Sequence, residues 1–427
     1  MPESTRPRIC RREKESGTLP TKSQRICLPI ERVEYERILG DRHAFRKYLD
    51  EMIKQHSELF PTTIQQGYQL HDIRSPSKKM PEIRLRRIKV KTVDHSEEVF
   101  SIAPSFVMPY MTGYTDDIEK ALFLRRFGVP FWGLTYVFGH DDMYWERLEL
   151  HFGTNSLVGT TVRHADHLPP DVLADEKHTR LNGEKVYVAT TVGGDCVLGA
   201  SVALQADAES LQEAYGQFKS EAHNLAADYQ PQTVNTDGWK ATQTAWLNLF
   251  PAITVIRCFL HAFLKIRDRC QRMTEHLAEI RTRVWEAYHA TDAQAFRAKV
   301  SDLKNWACQT LNPGSGLDAI LKLCERVPEF ALAYAYPSAY RTSNMLDRHM
   351  DRMDRCFYSA KYFHGHLMTA EYAVRAWALL HNFQPYCPRA MTVGHSTSPA
   401  HKLNGFVYHD HWLQNLLVST SLGGCRR

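Results

Sequence analysis

The segment Val234–His261 (VNTDGWKATQTAWLNLFPAITVIRCFLH) constrains the fold of this chain more than any other part of it. A brief apolar run leads into Asp237, and Gly238 allows the backbone a sharp exit. Residues 241–250 then show helical spacing of apolar side chains, and residues 253–256 form a β-branched run. The segment therefore predicts strand, helix and strand, with the Asp237 carboxylate at the carboxyl edge of a sheet, where open α/β sheets hold their sites.

Upstream, the sequence predicts three strands and a helix. Residues 172–174 form a strand that ends on Asp175, and the next two strands cover residues 185–192 and 196–204. A helix at 208–225 follows, because its apolar residues recur at spacings of three, four and seven. The order from Asp175 to His261 is then β-β-β-α-β-α-β, which is the order of an RNase H-like α/β fold. Acids end its first and fourth strands, and Glu176 is the alternative to Asp175 as the first of them.

A third acid is predicted on a downstream helix. Residues 341–344 can cap a helix that continues through MLDRHMDRMDR. Asp347 falls in its first turn, and Asp351 and Asp354 follow on the same face at i+4 and i+7. The spacing leaves these three carboxylates as alternatives for one site.

Together these motifs resemble the DDE-type insertion-sequence transposases of the broad Mutator-like group. Such proteins carry a Cys-x-x-His signature between their second and third acids, matched here by Cys258 and His261. Their third acid follows a Thr-x-Asn segment, matched by residues 342–344. The spacing also suits the group, at 237 − 175 = 62 and 347 − 237 = 110 residues. One departure is that Mutator-like enzymes usually place Glu third, where this chain has Asp347.

The resemblance implies a DNA transposase that cleaves the ends of a mobile element and joins them to target DNA. Asp175, Asp237 and Asp347 would be catalytic and would ligate two Mg²⁺ ions, which Mn²⁺ can replace. Cys258 and His261 would support the site without binding metal. The implied partners are the terminal inverted repeats, target DNA and a second copy of the chain, in a homodimer or larger assembly. The alternatives are an RNase H-like nuclease or resolvase without strand transfer, and a domesticated DNA-binding regulator.

Two segments are candidates for DNA contact. The stretch from Arg74 to Lys91 contains eight Lys or Arg residues and only one acidic residue. Within it, IRLRRIKV alternates apolar with basic residues, which predicts a strand with one cationic face. Its Arg84, Arg86, Arg87 and Lys89 are the predicted phosphate contacts; the alternative is a solvated edge strand. Further on, LELHFG-TNS-LVGTTVR resembles a helix-turn-helix, whose second helix would present Thr160, Thr161 and Arg163 to a major groove. A plain helical subdomain is the alternative there.

Composition limits the cellular compartment in which the protein is expected. The 427 residues are 43% hydrophobic, without an apolar run of membrane length or a secretory h-region. The ten cysteines include no CxxC pair, which indicates a reducing compartment. Composition therefore predicts a soluble protein of a reducing compartment, and the resemblance implies a cytoplasmic, nucleoid-associated protein of a bacterium or archaeon.

The predicted organisation has five parts. They are a basic arm with a helix (Glu31–Phe60) and a β segment at 1–105, a helix-turn-helix region at 106–168, the catalytic core at 169–261 and 336–385, a helical insertion at 262–335, and a C-terminal tail at 386–427. Trp239, next to the second acid, is predicted to pack in the core, and the alternative is that it stacks on a flipped base.

Overall fold

The computed structural model describes residues 24–91 and 96–425, and its fold is mixed α/β with two mixed sheets. The basic arm predicted for the first residues of the chain lies almost entirely outside the described residues. The first sheet has the strand order β1-β4-β3-β2, in which β1 runs parallel to β4 and the other pairs are antiparallel. Its strands are β1 (Arg25–Leu28), β2 (Tyr68–Arg74), β3 (Leu85–Lys91) and β4 (Glu97–Pro104).

The second, central sheet has the order β7-β6-β5-β8-β9. Strands β5, β6 and β7 are antiparallel neighbours, whereas β8 and β9 run parallel to β5. These strands are β5 (Asp171–Leu181), β6 (Glu184–Gly193), β7 (Cys196–Ala203), β8 (Thr233–Thr236) and β9 (Thr254–Arg257). Helix α7 (Ala208–Leu225) joins β7 to β8, and α8 (Lys240–Leu249) joins β8 to β9, so the predicted order of elements is confirmed.

The N-terminal helical segment is divided where a single helix was predicted. Helix α1 (Arg32–Leu39) ends at Gly40, and α2 (Arg42–Gln55) begins at once. The Asp41 carboxylate accepts hydrogen bonds from the N–H groups of His43 and Ala44, which caps a new helix at this point. The prediction of one helix over 31–60 was therefore wrong.

Helices cover both faces of the central sheet. Alternate β5 side chains enter different cores: Val172 and Ala174 pack under α7 and α8, while Leu173 packs on the opposite side. That opposite side is covered by α14 (Asn344–Tyr358) and α15 (Leu367–Phe383) and is continuous with the core of the N-terminal sheet. Four further helices connect the two sheets, namely α3 (Thr115–Arg125), α4 (Phe131–Phe138), α5 (Asp142–Phe152) and α6 (Leu157–Thr161).

The predicted insertion is helical and has a core of its own, built from apolar residues between Phe259 and Ala331. It contains α9 (Phe259–Cys270), α10 (Leu277–Tyr288), α11 (Ala293–Thr310), α12 (Ser315–Glu325) and α13 (Val327–Ala331).

The C-terminal region packs into the main core. It contains α16 (Pro388–Gly394), α17 (Pro399–Asn404) and α18 (Trp412–Ser419), and most of α18 is fully buried. The Ser421 hydroxyl donates to the carbonyl of Cys27 and accepts from its N–H, which ties this end of the chain to β1. Within the described ranges, no helix is both long and apolar enough to cross a membrane.

The predicted recognition helix is too short and too buried for the role expected of it. Helix α6 has five residues, Thr160 is 4% exposed, and Thr161 is also buried. A side chain at Gly159 would clash with the carbonyl of Gly424, because the C-terminal 3-10 turn (Ser421–Gly424) lies directly on α6. The expectation that α6 presents Thr160 and Thr161 to a DNA groove is therefore wrong, since the chain's own C-terminus occupies that side.

Candidate active site

Two of the predicted acids lie side by side at one edge of the central sheet. The last parallel pair of β5 and β8 is Leu173 with Asn235. Asp175 lies two residues after Leu173, and Asp237 lies two residues after Asn235. The register of the two strands therefore places the two acids side by side. Asp237 follows the end of β8 directly, as predicted. Asp175 does not end its strand, because β5 continues to Leu181 in its pairing with β6.

The third predicted acid reaches the same place from α14. Asp347 lies in the first turn of that helix, as predicted, and its N–H donates to the carbonyl of Ser343 at 2.9 Å. The Ser343 hydroxyl in turn donates to a carboxylate oxygen of Asp347 at 3.1 Å. Asp351 is exposed, and Asp354 forms an ion pair with Lys177 at 3.3 Å. Of the three alternatives, Asp347 is the one that lies next to Asp175.

The closest cluster of potential metal ligands consists of Asp175, Asp347 and His261. One ligand atom from each lies within 4.8 Å of the others, and all three side chains are partly buried. His261 stands in the first turn of α9, directly after β9. The Asp237 carboxylate is outside this cluster and accepts the N–H of Trp239 at 2.7 Å. The structure thus adds an imidazole to the acids that the sequence had selected.

The charges in this cluster influence one another strongly. Burial raises the pKa of Asp175 to about 7, and the neighbouring Glu176 and Asp237 carboxylates add to that shift. Burial also raises the pKa of Asp347 above its ordinary value. The interaction with the Cys258 thiol raises the pKa of His261 to about 9 against the effect of burial, with smaller contributions from Asp175 and Asp347. The acids therefore lie in a place where a positive charge is needed to keep them ionised.

The side chains present fit a divalent cation. Carboxylate oxygens are the ligands that Mg²⁺ and Mn²⁺ prefer, and an imidazole nitrogen suits Mn²⁺ and other transition metals. The Nδ1 atom of His261 is buried and has no hydrogen-bond partner of good geometry among the residues that the structure describes. A buried nitrogen without a partner is costly, and a hydrogen bond from the Cys258 thiol or a bound cation would satisfy it.

The Cys258 thiol is a link between the sheet edge and α14. Its sulfur accepts the N–H of Ser343 at 3.3 Å, and the N–H of Phe259 donates to the carbonyl of Arg341 at 3.0 Å. On β8, the Asn235 amide donates to the carbonyl of Tyr340 at 2.9 Å. Burial alone would raise the pKa of Cys258, but His261 and Ser343 lower it below its ordinary value. These bonds fix the segment that leads into Asp347.

Glu176, the alternative to Asp175, points to the opposite side of the sheet. It is 6% exposed, and one of its oxygens accepts the hydroxyls of Tyr215 and Thr242, each at 2.7 Å. Burial raises its pKa above the ordinary value. The metal-ligand cluster therefore contains Asp175 and not Glu176.

The predicted cationic face of β3 is divided. Arg86 is 3% exposed and donates to the carbonyl of Leu39, so it points into the protein. Arg87 pairs with Asp72, and Lys89 pairs with Glu97 at 3.0 Å. Arg84 is exposed. The prediction of one cationic face failed because the apolar positions of the strand do not all lie on one side.

Arg163 is also engaged inside the protein. Its guanidinium pairs with Glu58 at 2.9 Å and lies 3.7 Å from the centre of the Phe406 ring. This arrangement joins the segment after α6 to the C-terminal region, and it leaves Arg163 unsuited to the predicted contact with bases.

A cationic stripe that was not predicted leads away from the site along α9. Lys265 and Arg269 follow His261 at i+4 and i+8, which places all three on one face of the helix. Arg272 comes just beyond its end, and the three basic side chains are exposed. Ion pairs in the described part of the chain involve the neighbouring Arg267 with Asp268, but not these three. The sequence signal that could have predicted this stripe is the i, i+4, i+8 spacing counted from the histidine of the Cys-x-x-His signature.

Comparison with protein-family models finds no match to this chain, and comparison with curated proteins finds none either.

Proposed function

We propose that this protein is a DNA transposase that cleaves the ends of a mobile element and transfers them to target DNA, using two divalent cations. The observation that carries the proposal is the convergence of three carboxylates from separate elements. Asp175 comes from β5, Asp237 follows β8 at the same level, and Asp347 comes from the first turn of α14. Carboxylates gathered in this way are the protein's usual share of a two-metal phosphoryl-transfer site.

The topology of the central sheet supports an RNase H-like core. Three antiparallel strands followed by two strands parallel to the first, in the order β7-β6-β5-β8-β9, are what that fold requires. In this interpretation the helices between Phe259 and Ala335 are an insertion between the last strand and the helix of the third acid.

The cations would be held by Asp175, Asp237 and Asp347, with His261 as a further nitrogen donor. Mg²⁺ suits the carboxylates, and Mn²⁺ suits the complete set of donors. When bound, the two cations would align an attacking hydroxyl with the phosphorus and neutralise charge on the phosphoryl oxygens.

The reaction proposed is two successive displacements at phosphorus. In the first, water forms a P–O bond as the bond between the element's 3′-oxygen and the flanking DNA breaks. In the second, the freed 3′-hydroxyl attacks a phosphate of the target, and the target's own 3′-oxygen leaves with a proton. No covalent enzyme intermediate is needed, so the chain needs to hold DNA and position charges only.

The stripe of Lys265, Arg269 and Arg272 supports a path for DNA. It begins one turn from His261 and is exposed along its length, so a phosphate backbone can follow it to the acids. The proposed DNA comprises the terminal inverted repeats and a target. Pairing two element ends requires at least two copies of the chain, which favours a homodimer or larger assembly. Such a protein would act on the nucleoid, in the cytoplasm of a bacterium or archaeon.

The experiment uses purified protein and labelled duplexes from the genomic DNA on either side of the coding sequence, where terminal repeats would lie. The proposal is supported if the parent protein cleaves and joins DNA in Mg²⁺ but not in EDTA, and if Asp175→Asn does neither in Mg²⁺. Cleavage without joining would favour a nuclease or resolvase. Specific retention without cleavage by the parent protein would favour a DNA-binding regulator.

A further inference from the structure

An aromatic cluster stands beside Asp237. The centres of the His178 and Tyr187 rings lie 5.0 Å apart, and both are close to the indole of Trp239, at 6.3 and 6.1 Å. The residues come from β5, β6 and the start of α8. Tyr187 and Trp239 are half-buried, and His178 is exposed.

Trp239 was expected to pack in a core, but it lies outside the three hydrophobic cores that the described residues form. Its backbone N–H donates to the Asp237 carboxylate at 2.7 Å, which fixes the start of α8 against that acid. The Asp237 charge also acts on His178, whose pKa is lowered chiefly by burial while Asp237 opposes the shift. The rings and the acid therefore belong to one locality.

Basic groups surround the cluster. The Lys185 ammonium lies 5.1 Å from the centre of the Tyr187 ring, and Lys240 is exposed next to Trp239. A side chain at Gly238 would meet the Arg257 guanidinium, so that cation, which also pairs with Glu329 at 2.9 Å, lies against the turn between Asp237 and Trp239. Partly exposed aromatic faces among cations are the features with which proteins bind the bases and phosphates of a single strand.

We infer that Trp239, Tyr187 and His178 form a stacking platform for an unpaired base of the DNA strand whose phosphate lies at the acids. This inference rests on the proposed function and adds a binding subsite to it. The indole of Trp239 is the principal stacking surface, because it has the largest ring and is tied to Asp237. A base held there would fix the position of the adjacent phosphate.

The test compares two fluorescent 20-mers, oligothymidine and a chain of abasic deoxyribose phosphates with the same charge, bound in Ca²⁺ to prevent cleavage. Trp239→Ala should weaken binding of oligothymidine about 5- to 150-fold, which is the range for removal of one stacked base. Binding of the abasic chain should change less than about twofold. Trp239→Phe should lie between the parent and Trp239→Ala, because a smaller ring remains.

Trp132→Ala is the matched control, since Trp132 is a tryptophan on α4 that is 67% exposed. It should bind both probes as the parent does. Thermal unfolding of each variant separates loss of the platform from loss of the fold. Equal effects of Trp239→Ala on both probes, or no effect on either, would overturn the inference.

The platform and the proposed function fail in different ways. If the parent protein cleaves DNA but binds both probes without dependence on Trp239, the platform is wrong and the function stands. If oligothymidine binding depends on Trp239 while no DNA is cleaved in Mg²⁺ or Mn²⁺, the platform stands and the function is wrong.

Discussion

The sulfur of Cys258 accepts a hydrogen bond from the backbone N–H of Ser343 at 3.3 Å, which joins the end of β9 to the residue before α14. Ser343 then bonds to Asp347 through its hydroxyl and its carbonyl. A thiol that lies outside the metal-ligand cluster therefore holds the third acid in position. The Cys-x-x-His signature acquires a physical meaning in this way: its histidine enters the cluster, and its cysteine orients the helix that completes it.

Cys258→Ala should raise the metal concentration needed for half-maximal cleavage about 10- to 100-fold, as removal of a group that orients ligands does. High Mn²⁺ should recover much of the rate, because the ligands themselves are intact. Cys258→Ser should retain more activity, since a hydroxyl can also accept the Ser343 N–H. Cys270→Ala, a buried cysteine at the far end of α9, is the control and should leave the metal requirement unchanged. An equal loss of rate at every metal concentration would contradict the orienting role.

Asp237→Asn should abolish cleavage and joining while DNA binding persists or tightens. The amide keeps the shape of the side chain and can still accept the Trp239 N–H, but it removes one ligand charge and one repulsion from the site. Activity is measured on a labelled duplex in Mg²⁺, and binding by fluorescence anisotropy in Ca²⁺. Asp228→Asn, at an exposed acid between α7 and β8, should match the parent in both measurements. Cutting and joining by Asp237→Asn at the parental rate would remove Asp237 from the site.

The three acids of α14 can be separated by single substitutions. Asp347→Ala should abolish both cleavage and joining, because Asp347 lies in the cluster with Asp175. Asp351→Ala should be active, since that side chain is exposed. Asp354→Ala should also be active. It should lose a hydrogen bond from Tyr362 and an ion pair with Lys177, and the ion pair is worth about 0–1 kcal/mol at a partly exposed position. An inactive Asp351→Ala or Asp354→Ala beside an active Asp347→Ala would reassign the third ligand.

The local pattern of the sequence was enough to predict that Asp237 follows β8, that Asp347 lies in the first turn of α14, and the order of elements from β5 to β9. Each depends on short-range signals: a strand that ends on an acid, a capped helix, and alternation of apolar residues. Asp175 was identified from the same kind of pattern, but it lies inside β5, because β5 remains paired with β6 well beyond the end of its short pairing with β8. The place of a residue along paired strands of unequal length cannot be read from one strand alone.

The predictions that the structure contradicts depend on contacts between distant parts of the chain. Thr160 looked like a residue of a recognition helix, yet the C-terminal residues from Ser421 onward cover α6. Arg86 looked exposed in the alternating pattern of β3, yet its guanidinium lies under α1 and bonds to Leu39. Helical spacing and strand alternation specify which residues share a face, but they do not specify what covers that face.

The contribution of Asp175 to the stability of the metal-free protein should fall as the pH rises from about 4 to about 7. The pKa of Asp175 is raised from 3.8 to about 7 by folding, so over that range the folded state binds more protons than the unfolded state, and stability decreases with pH. Below this range both states are protonated, and above it both are ionised. The full effect is at most about 4 kcal/mol, from 1.36 kcal/mol per unit of pKa. Asp175→Asn should lack this contribution, so the difference in stability between the parent and the variant, measured by thermal unfolding, should change over this pH range. Mg²⁺ at pH 8 should stabilise the parent but not this variant.

Glu371 provides the control for that experiment. Burial raises its pKa to about 7 as well, but it lies on α15 and accepts the N–H of Val202, away from the acids of the site. Glu371→Gln should therefore remove a contribution of the same sign over the same pH range while stabilisation by Mg²⁺ remains. Loss of the Mg²⁺ effect in Glu371→Gln, or its survival in Asp175→Asn, would contradict metal binding at Asp175.

The salt dependence of DNA binding should identify the electrostatic surface. Replacing Lys265, Arg269 and Arg272 together by alanine should reduce the slope of log K against log salt by roughly three units, because each phosphate that a cation neutralises contributes about 0.9 to that slope. Replacing Arg84, Arg87 and Lys89 should have a smaller effect, because two of those cations already pair with acids of the protein itself. Binding to a duplex is measured in Ca²⁺ between about 50 and 200 mM salt. A larger change from the β3 variant than from the α9 variant would place the DNA on the N-terminal sheet, as the sequence alone had predicted, and not along the helix that begins at His261.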